Sequence, residues 1–165
     1  MPEDAQDGSD LAGFLPYQLS VTSNAVSSLI AERYRKRFAL KIPEWRVMAV
    51  LGASGEGGGS MTQRALTAAT VMDKVAVNRA ARVLEERGLV TRVPNPDDGR
   101  SHLLALTAEG RAIHAEVMPL ARATERELLD GLAPHEEAQL RALLATLRDK
   151  ATALAAQMRK GPEPE

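Results

Sequence analysis

Apolar residues return every three or four positions along most of this chain, which is the spacing of amphipathic helices. One row steps in alternating fours and threes and predicts a long helix over about 14–38. A second row with the same steps predicts another long helix, reaching about residue 158. The rows are Leu15, Leu19, Thr22, Val26, Leu29 and Arg33, and Leu140, Leu144, Leu147, Ala151, Leu154 and Met158. Burial in a dimer interface is the favoured interpretation, and packing of the two helices on each other is the alternative.

Between the long helices, two capping signals predict a pair of short helices at helix–turn–helix spacing. Ser60 and Gln63 stand at the S-x-x-Q spacing of a capping box, which predicts that the first short helix starts at Ser60. Thr70 and Asp73 repeat this spacing and predict a second helix over about 71–87. A glycine residue follows directly and is expected to end that helix.

The next stretch predicts a β-hairpin and then a return to helix. Residues 89–106 form two short apolar runs around a turn rich in Pro, Asp and Gly at 94–99. Thr107 is expected to cap a helix over about 108–132, which Pro119 should kink or split. A further short helix is predicted over about 44–51. The predicted fold class is therefore mainly α with a small β-hairpin wing.

The second short helix has two chemically different faces. Val77, Ala80, Ala81 and Leu84 fall on one side and are expected to face the core. The opposite side carries the polar residues Lys74, Asn78 and Arg82, flanked by Val75 and Arg79. Lys and Arg donate to guanine and Asn pairs with adenine in the major groove of DNA. A solvated helix face is the alternative, but the helix–turn–helix spacing and the hairpin favour DNA.

The hairpin tip carries Asp98, Gly99 and Arg100. An arginine at this place is suited to the minor groove, where negative potential is concentrated, and Asp98 is expected to hold its guanidinium. An ordinary polar turn is the alternative interpretation. The predicted DNA-binding residues are Thr62, Gln63, Lys74, Val75, Asn78, Arg79, Arg82, Asp98 and Arg100.

Composition narrows the classes of function. The net charge is −1, but residues 60–106 hold seven basic and five acidic side chains, a local surplus that agrees with nucleic acid binding. Cysteine is absent, which excludes disulfides, cysteine metal sites and thiol redox sensing. The three histidines are far apart, and no phosphate-loop or nucleophile-elbow motif occurs. We therefore expect no metal, no cofactor and no enzymatic activity.

No apolar run reaches the roughly 18 residues of a membrane span, and no signal peptide is apparent, so a cytoplasmic protein without membrane contact is expected.

The segments MDKVAVNRAARVLEERGLV and PNPDDGRSHLLALTAEGR resemble the MarR family of winged-helix transcriptional regulators. The wing signature of that family is D-x-R followed by a strand ending in L-T-x-x-G. It is matched by Asp98, Arg100, Leu106, Thr107 and Gly110. The likeness covers about 11–158.

The resemblance implies a homodimer that occupies a palindromic operator in double-stranded DNA, in most members as a repressor. It implies a winged helix-turn-helix lobe on a helical dimerisation platform. It also implies a single domain at 11–158, while composition predicts a disordered tail at 1–10 and a frayed tail at 159–165. Within the domain, 42–106 is the DNA-binding lobe, and 11–40 and 107–158 are the dimerisation helices.

Many members of the family are released from DNA by a small anionic, often phenolic ligand that sits between the dimer helices and the lobe. Mapped here, the candidate ligand-binding residues are Tyr17, Ser20, Trp45, Arg46 and His114. Trp45 and Tyr17 supply aromatic walls, and Arg46 is placed to pair with a carboxylate. The alternative is that Trp45 is a core residue and Arg46 forms a surface ion pair. The rival function is a ligand-independent architectural DNA binder or a protein-interaction helical dimer.

Overall fold

Six helices and three short strands make up the computed structural model, which describes residues 11–54 and 59–160. In chain order they are α1 (Leu15–Phe38), α2 (Ile42–Ala53), β1 (Met61–Thr62), α3 (Gln63–Thr70), α4 (Lys74–Glu86), β2 (Val90–Asn95), β3 (Asp98–Leu106), α5 (Ala108–Leu129) and α6 (Pro134–Lys160). This confirms a mainly α fold with a hairpin wing. The tail predicted at 1–10 lies outside the described residues, as does 161–165. Residues 159–160, which were expected to fray, are helical.

The chain forms two compact units with the boundary between Thr124 and Glu125. The first unit contains α1 to β3 and most of α5, and the second contains the end of α5 and α6. The division of 11–158 into a DNA-binding lobe and dimerisation helices remains a prediction.

The core of the first unit lies where α2 and α4 pack beside the sheet. The side chains of α4 predicted to face inward, Val77, Ala80, Ala81 and Leu84, are all buried. From α2 the core receives Val47, Met48 and Leu51, and from β3 it receives Leu104 and Leu106. Burying one such side chain stabilises the fold by roughly 1.5–3 kcal/mol, and the opposite face of α4 is thereby held outward.

The three strands form one antiparallel sheet in the order β1-β3-β2. The hairpin of β2 and β3 runs from the pair Val90 and Leu106 to the pair Asn95 and Asp98, with an irregularity after Pro94. Strand β1, which the sequence did not predict, pairs its Met61 with Leu104. Two residues are too few for a periodic pattern to identify a strand.

Strand β1 also corrects the predicted start of the first short helix. Because residue 61 is extended in the sheet, Ser60 is not the helix cap. Helix α3 begins at Gln63, and the Thr62 hydroxyl accepts a hydrogen bond of 3.1 Å from the Ala65 amide. The predicted residue Thr62 is therefore the N-cap of α3.

The predicted start of the second helix is also wrong, by three residues. Thr70 ends α3, and its buried hydroxyl donates to the Leu66 carbonyl at 2.8 Å. The cap of α4 is Asp73, whose carboxylate accepts from the Ala76 amide at 2.8 Å. Helix α4 covers Lys74–Glu86 and is shorter than the predicted 71–87.

The remaining helices follow the sequence pattern with adjusted ends. Helix α2 begins two residues before the predicted 44, and α5 ends at Leu129 instead of about 132. The Thr107 hydroxyl accepts from the Gly110 amide at 3.0 Å, which confirms the predicted cap of α5. Helix α5 continues through Pro119 as one helix, so the predicted split is wrong.

Candidate nucleic-acid interface

The outer face of α4 carries the side chains that the sequence assigned to DNA reading. Lys74, Val75, Asn78, Arg79 and Arg82 are all exposed. Val75 exposes 67% of its surface although it is apolar. This face therefore combines positively charged side chains, the amide of Asn78 and the exposed methyl groups of Val75. Such a mixture matches the base edges of the major groove, where thymine presents a methyl group beside hydrogen-bonding atoms.

Helix α3 is joined to this face by a side-chain hydrogen bond. The Gln63 amide nitrogen donates to the Asn78 side-chain oxygen at 3.3 Å, so the structure brings together two of the predicted residues. A groove of about 410 Å³ beside this contact is lined by Gln63, Arg64, Thr67 and Lys74. Arg64 and Thr67 were missed by sequence reasoning, because only the helix start was used to select residues of α3.

Arg82 takes part in a local ion pair at the end of the same face. Its guanidinium lies 3.2 Å from the Glu86 carboxylate one turn later, and both side chains are exposed. Such a pair on a helix surface contributes only about 0.3–0.5 kcal/mol. Arg82 can therefore leave Glu86 for another anion at little cost.

The wing tip has a different arrangement from the predicted one. The Asp98 carboxylate accepts from the backbone amide of Arg100 at 3.1 Å. Within the described part of the chain, no ion pair joins it to the Arg100 guanidinium, so the predicted side-chain pair is wrong. Asp98 instead shapes the turn, because its short side chain reaches the backbone two residues on. Arg100 remains exposed at the tip.

A bidentate ion pair fastens the wing to α4. The Arg92 guanidinium on β2 donates to both carboxylate oxygens of Glu85, each at 3.0 Å. This hydrogen bonding raises the pKa of Arg92 above its ordinary value. Arg92 was counted in the basic surplus of 60–106, but its charge is used inside the lobe and holds the hairpin against α4.

Comparisons with known proteins agree with this architecture. A sequence model described as the MarR family matches residues 40–101. The MarR family transcriptional regulator SPO1453 from Silicibacter pomeroyi DSS-3 is 32% identical with a TM-score of 0.71, and the alignment covers 86% of this chain and 97% of that one. The chain belongs to the MarR family. Its members are transcriptional regulators, which confirms the expectation that the protein is not an enzyme.

Two further relatives extend the comparison. The transcriptional regulator HosA from Escherichia coli O111:H- is 35% identical over 89 residues, which make up 54% of this chain and 65% of HosA, just under two thirds. A mutant MarR from E. coli, solved in complex with operator DNA, is 25% identical with a TM-score of 0.70 over 81% of this chain and 92% of that one. Within residues 11–54 and 59–160, no helix is both long and apolar enough to cross a membrane.

In this MarR-family chain, two of the candidate ligand residues contact each other. The Trp45 ring stacks on the His114 imidazole with centroids 5.7 Å apart, and it packs on Tyr34 at 5.5 Å. Trp45 is 9% exposed, as the core interpretation predicts. Burial raises the pKa of Tyr34 to about 12, so its phenol stays neutral.

His114 is packed tightly at one of its two ring nitrogens. Among the described residues, its Nε2 atom is buried without a hydrogen-bond partner. A Cβ on Gly52 would lie 2.4 Å from this atom, so only glycine fits beneath the ring. Burial lowers the pKa of His114 below its ordinary value. An unpaired polar atom beside a tryptophan ring is a feature that a bound ligand can complete.

Among the described residues, no hydrogen bond or ring contact joins the other candidate ligand residues to this pair. The half-buried Arg46 donates to the Ser27 hydroxyl at 3.4 Å, which joins α2 to α1. The predicted alternative, a surface ion pair of Arg46, is not among the ion pairs of the described residues. Tyr17 and Ser20 are exposed near the start of α1, and the Ser20 hydroxyl donates to the Pro16 carbonyl at 3.0 Å.

Proposed function

We propose that this protein is a homodimeric DNA-binding repressor that a small aromatic or anionic ligand releases from a palindromic operator. The observation that carries the proposal is the exposed face of α4, where Lys74, Asn78 and Arg79 stand beside an uncovered Val75. The buried face of the same helix is anchored in the core, so these groups are presented by a fixed scaffold. The operator-bound MarR relative supports the same use of the lobe.

The wing supports this proposal from a second position. Arg100 is exposed at the tip of the hairpin, and the pair of Arg92 with Glu85 ties the hairpin to α4. With α4 in the major groove, Arg100 is proposed to reach the neighbouring minor groove. Negative potential there attracts arginine without requiring a particular base, so Arg100 adds affinity more than sequence preference.

Exposed apolar rows support the homodimer. On α6 the leucines of the predicted row, Leu140, Leu144, Leu147 and Leu154, each expose between 41% and 48% of their surface. On α1, Leu15 and Leu19 expose 47% and 38%. Contiguous exposed apolar rows of this kind mark sites of protein–protein interaction. Two chains then present two α4 helices, and dimeric helix–turn–helix proteins use a separation of about 34 Å.

The proposed effector site is the stacked pair of Trp45 and His114, with Arg46, the next residue of α2, as its cation. Trp45 offers an aromatic face, the Nε2 atom of His114 has no hydrogen-bond partner among the described residues, and Arg46 can exchange its long hydrogen bond to Ser27 for one to a carboxylate. An aromatic carboxylate matches these three groups. It releases the operator only to the extent that it binds the released conformation more tightly than the DNA-bound one.

A titration separates the parts of this proposal. Duplexes enriched by the protein from a random-sequence pool are used in gel shifts with a panel of aromatic carboxylates. Release of an enriched duplex, but not from an Arg46→Met variant that binds DNA normally, is the expected result. Sequence-specific binding without release by any compound leaves the architectural alternative. Failure to enrich any sequence contradicts DNA reading and leaves a protein-interaction dimer.

A further inference from the structure

Arg87 directly follows α4 and lies on the side opposite to the proposed reading face. It comes nine residues after Asn78, which is two and a half turns of an α-helix. Its guanidinium donates to two backbone carbonyls at the end of α1. One nitrogen reaches the Ala39 oxygen at 3.0 Å, and the other reaches the Phe38 oxygen at 2.7 Å. The last carbonyls of a helix have no partner within the helix, so Arg87 satisfies two groups that α1 leaves open.

A buried carboxylate completes this contact. The Glu44 side chain is only 6% exposed, and its Oε2 atom lies 3.9 Å from the Arg87 guanidinium. The same oxygen accepts from the Lys41 backbone amide at 2.9 Å, at the start of α2. Removing the arginine leaves a buried charge without its counter-ion, which is costly in a protein interior. Arg87 therefore joins the end of α4 to the end of α1 and the beginning of α2.

We infer that Arg87 is a positioning residue for DNA recognition, which sets the orientation of α4 without contacting DNA. This inference rests on the proposed DNA-binding function. The planar fork of the guanidinium is occupied by the two carbonyls at the end of α1, on the side of α4 opposite to Asn78. Loss of that fork frees the C-terminal end of α4 to shift relative to α1 and α2. The Lys74 and Asn78 side chains then meet the base edges less accurately, while the positive charge along the DNA backbone is kept.

The test uses Arg87→Lys, Arg87→Met and Glu44→Gln in the full chain. The first keeps the charge but has no planar fork, and the second removes both. Affinity is measured over a range of salt concentrations for a duplex enriched by the wild type and for a scrambled duplex of equal length. Thermal melting of each variant identifies a temperature at which that variant is folded and its affinity can be measured. Lys74→Met is the control for a residue proposed to contact DNA directly.

Both Arg87 variants are expected to lose roughly 3- to 30-fold in affinity for the enriched duplex. Binding of the scrambled duplex and the salt slope of log affinity should stay at wild-type values, with Glu44→Gln showing a smaller loss of the same kind. Lys74→Met should instead weaken both duplexes and reduce the salt slope by about 0.9, because it removes a positive charge close to the phosphates of either duplex in addition to a base contact. If Arg87→Met does not fold, the lysine and glutamine variants carry the test.

Two results overturn the inference. Full rescue by lysine together with a salt slope lower by about 0.9 in Arg87→Met identifies a phosphate contact. An unchanged ratio of enriched to scrambled affinity, with only a lower melting temperature, identifies a residue that serves stability alone. In both cases the wild type still discriminates between the duplexes, so the proposed function stands. A wild type that does not discriminate removes the proposed function and this inference together.

Discussion

The lobe between α2 and β3 and the terminal helix α6 use apolar residues in opposite ways. In the lobe, α4 buries four side chains on one face, and its cap, Asp73, is satisfied within the chain. In α6 none of the side chains at 134–159 is buried, although its row of leucines is as regular. A periodic pattern thus identifies an amphipathic helix in both regions. The pattern does not tell whether the apolar face of a helix is covered by the same chain.

The two regions therefore depend on different contacts. The lobe shares one core with parts of α1 and α5 of the same chain, so its reading face is fixed by contacts within one molecule. Helix α6 has an uncovered row, which we propose a second copy covers. Changes in the lobe should therefore affect stability and base recognition in a single chain, whereas changes in the α6 row should affect association first.

The largest effect is expected from charges in the α6 row. The double variant Leu144→Glu, Leu147→Glu removes two leucines that are 45% and 41% exposed in one chain and places carboxylates in the proposed interface. The dimer should be weakened by about 3–5 kcal/mol, since apolar burial is lost and charge is buried. Sedimentation without DNA measures the monomer fraction at several concentrations.

A matched control keeps the added charge the same. Ala138 and Ala142 are exposed on the side of α6 away from the row, so Ala138→Glu, Ala142→Glu should remain dimeric. Equal dissociation of both double variants would contradict a role for the leucine row.

The next effect tests how closely the lobe is packed. A Cβ on Gly110 would lie 2.0 Å from the Leu89 carbonyl oxygen, where α5 begins beside the sheet. Gly110→Ala should therefore lower the free energy of unfolding by about 3 kcal/mol, because backbone must move to admit the methyl group. Chemical denaturation measures the change. Gly99→Ala, where no atom lies within 4 Å, should change stability by less than about 0.5 kcal/mol. Equal losses in the two variants would mean that the close approach at Gly110 is not rigid.

A smaller effect concerns the reading face. Asn78→Ala removes an amide that accepts from Gln63 at 3.3 Å and is proposed to contact a base. Affinity for an enriched duplex should fall by about 1–3 kcal/mol, and preference at one base position should relax. Competition gel shifts against all single-base variants of the duplex measure both. Folding should be unaffected, since the side chain is exposed. A uniform loss at every position would indicate that Asn78 binds the backbone instead.

The smallest effect is a pH dependence from His114. Burial lowers the pKa of this group below 6.5, so below about pH 6.5 the unfolded chain binds a proton that the folded chain does not. Folding stability should fall from this cause as the pH drops below 6.5, reach a constant penalty below the folded-state pKa, and show no contribution above 6.5. His114→Gln should remove that part of the pH dependence. Denaturation at pH 5.5 and 7.5 measures the difference, and identical pH dependence in both proteins would contradict the burial of the imidazole.

Local patterns in the sequence predict much of the lobe but misplace the helix starts. The 3.6-residue period correctly separates Val77 and Leu84 from Lys74 and Asn78. The capping signals put the caps of α3 and α4 two and three residues too early, at Ser60 and Thr70 instead of Thr62 and Asp73. Several serine and threonine residues near these helix starts have the spacing of a capping box. The cap of α3 is decided by the pairing of Met61 with Leu104, which lies 43 residues away in the sequence. Such a distant pairing has no trace in a local pattern.

Three consecutive residues of α2 show what sequence reasoning lacks. Glu44 reaches Arg87, Trp45 stacks on His114, and Arg46 donates to Ser27. These contacts join one helical turn to three other elements of the first unit. In the sequence the partners are separated by 19 to 69 residues, and no spacing rule relates them. Residue type predicted that Trp45 is buried, whereas the role of Glu44 depends on a partner known only from the fold.

The central claim is that α4 reads DNA from a fixed lobe that two copies of the chain present at a set spacing. Selecting duplexes from a random pool with the wild-type protein, and weighing the complex by sedimentation, tests it most directly. The account predicts an inverted repeat whose half-site centres are about 10–10.5 base pairs apart, or a multiple of that, with two chains per duplex. Enrichment of a single unrepeated site bound by one chain, or of no sequence, would contradict it.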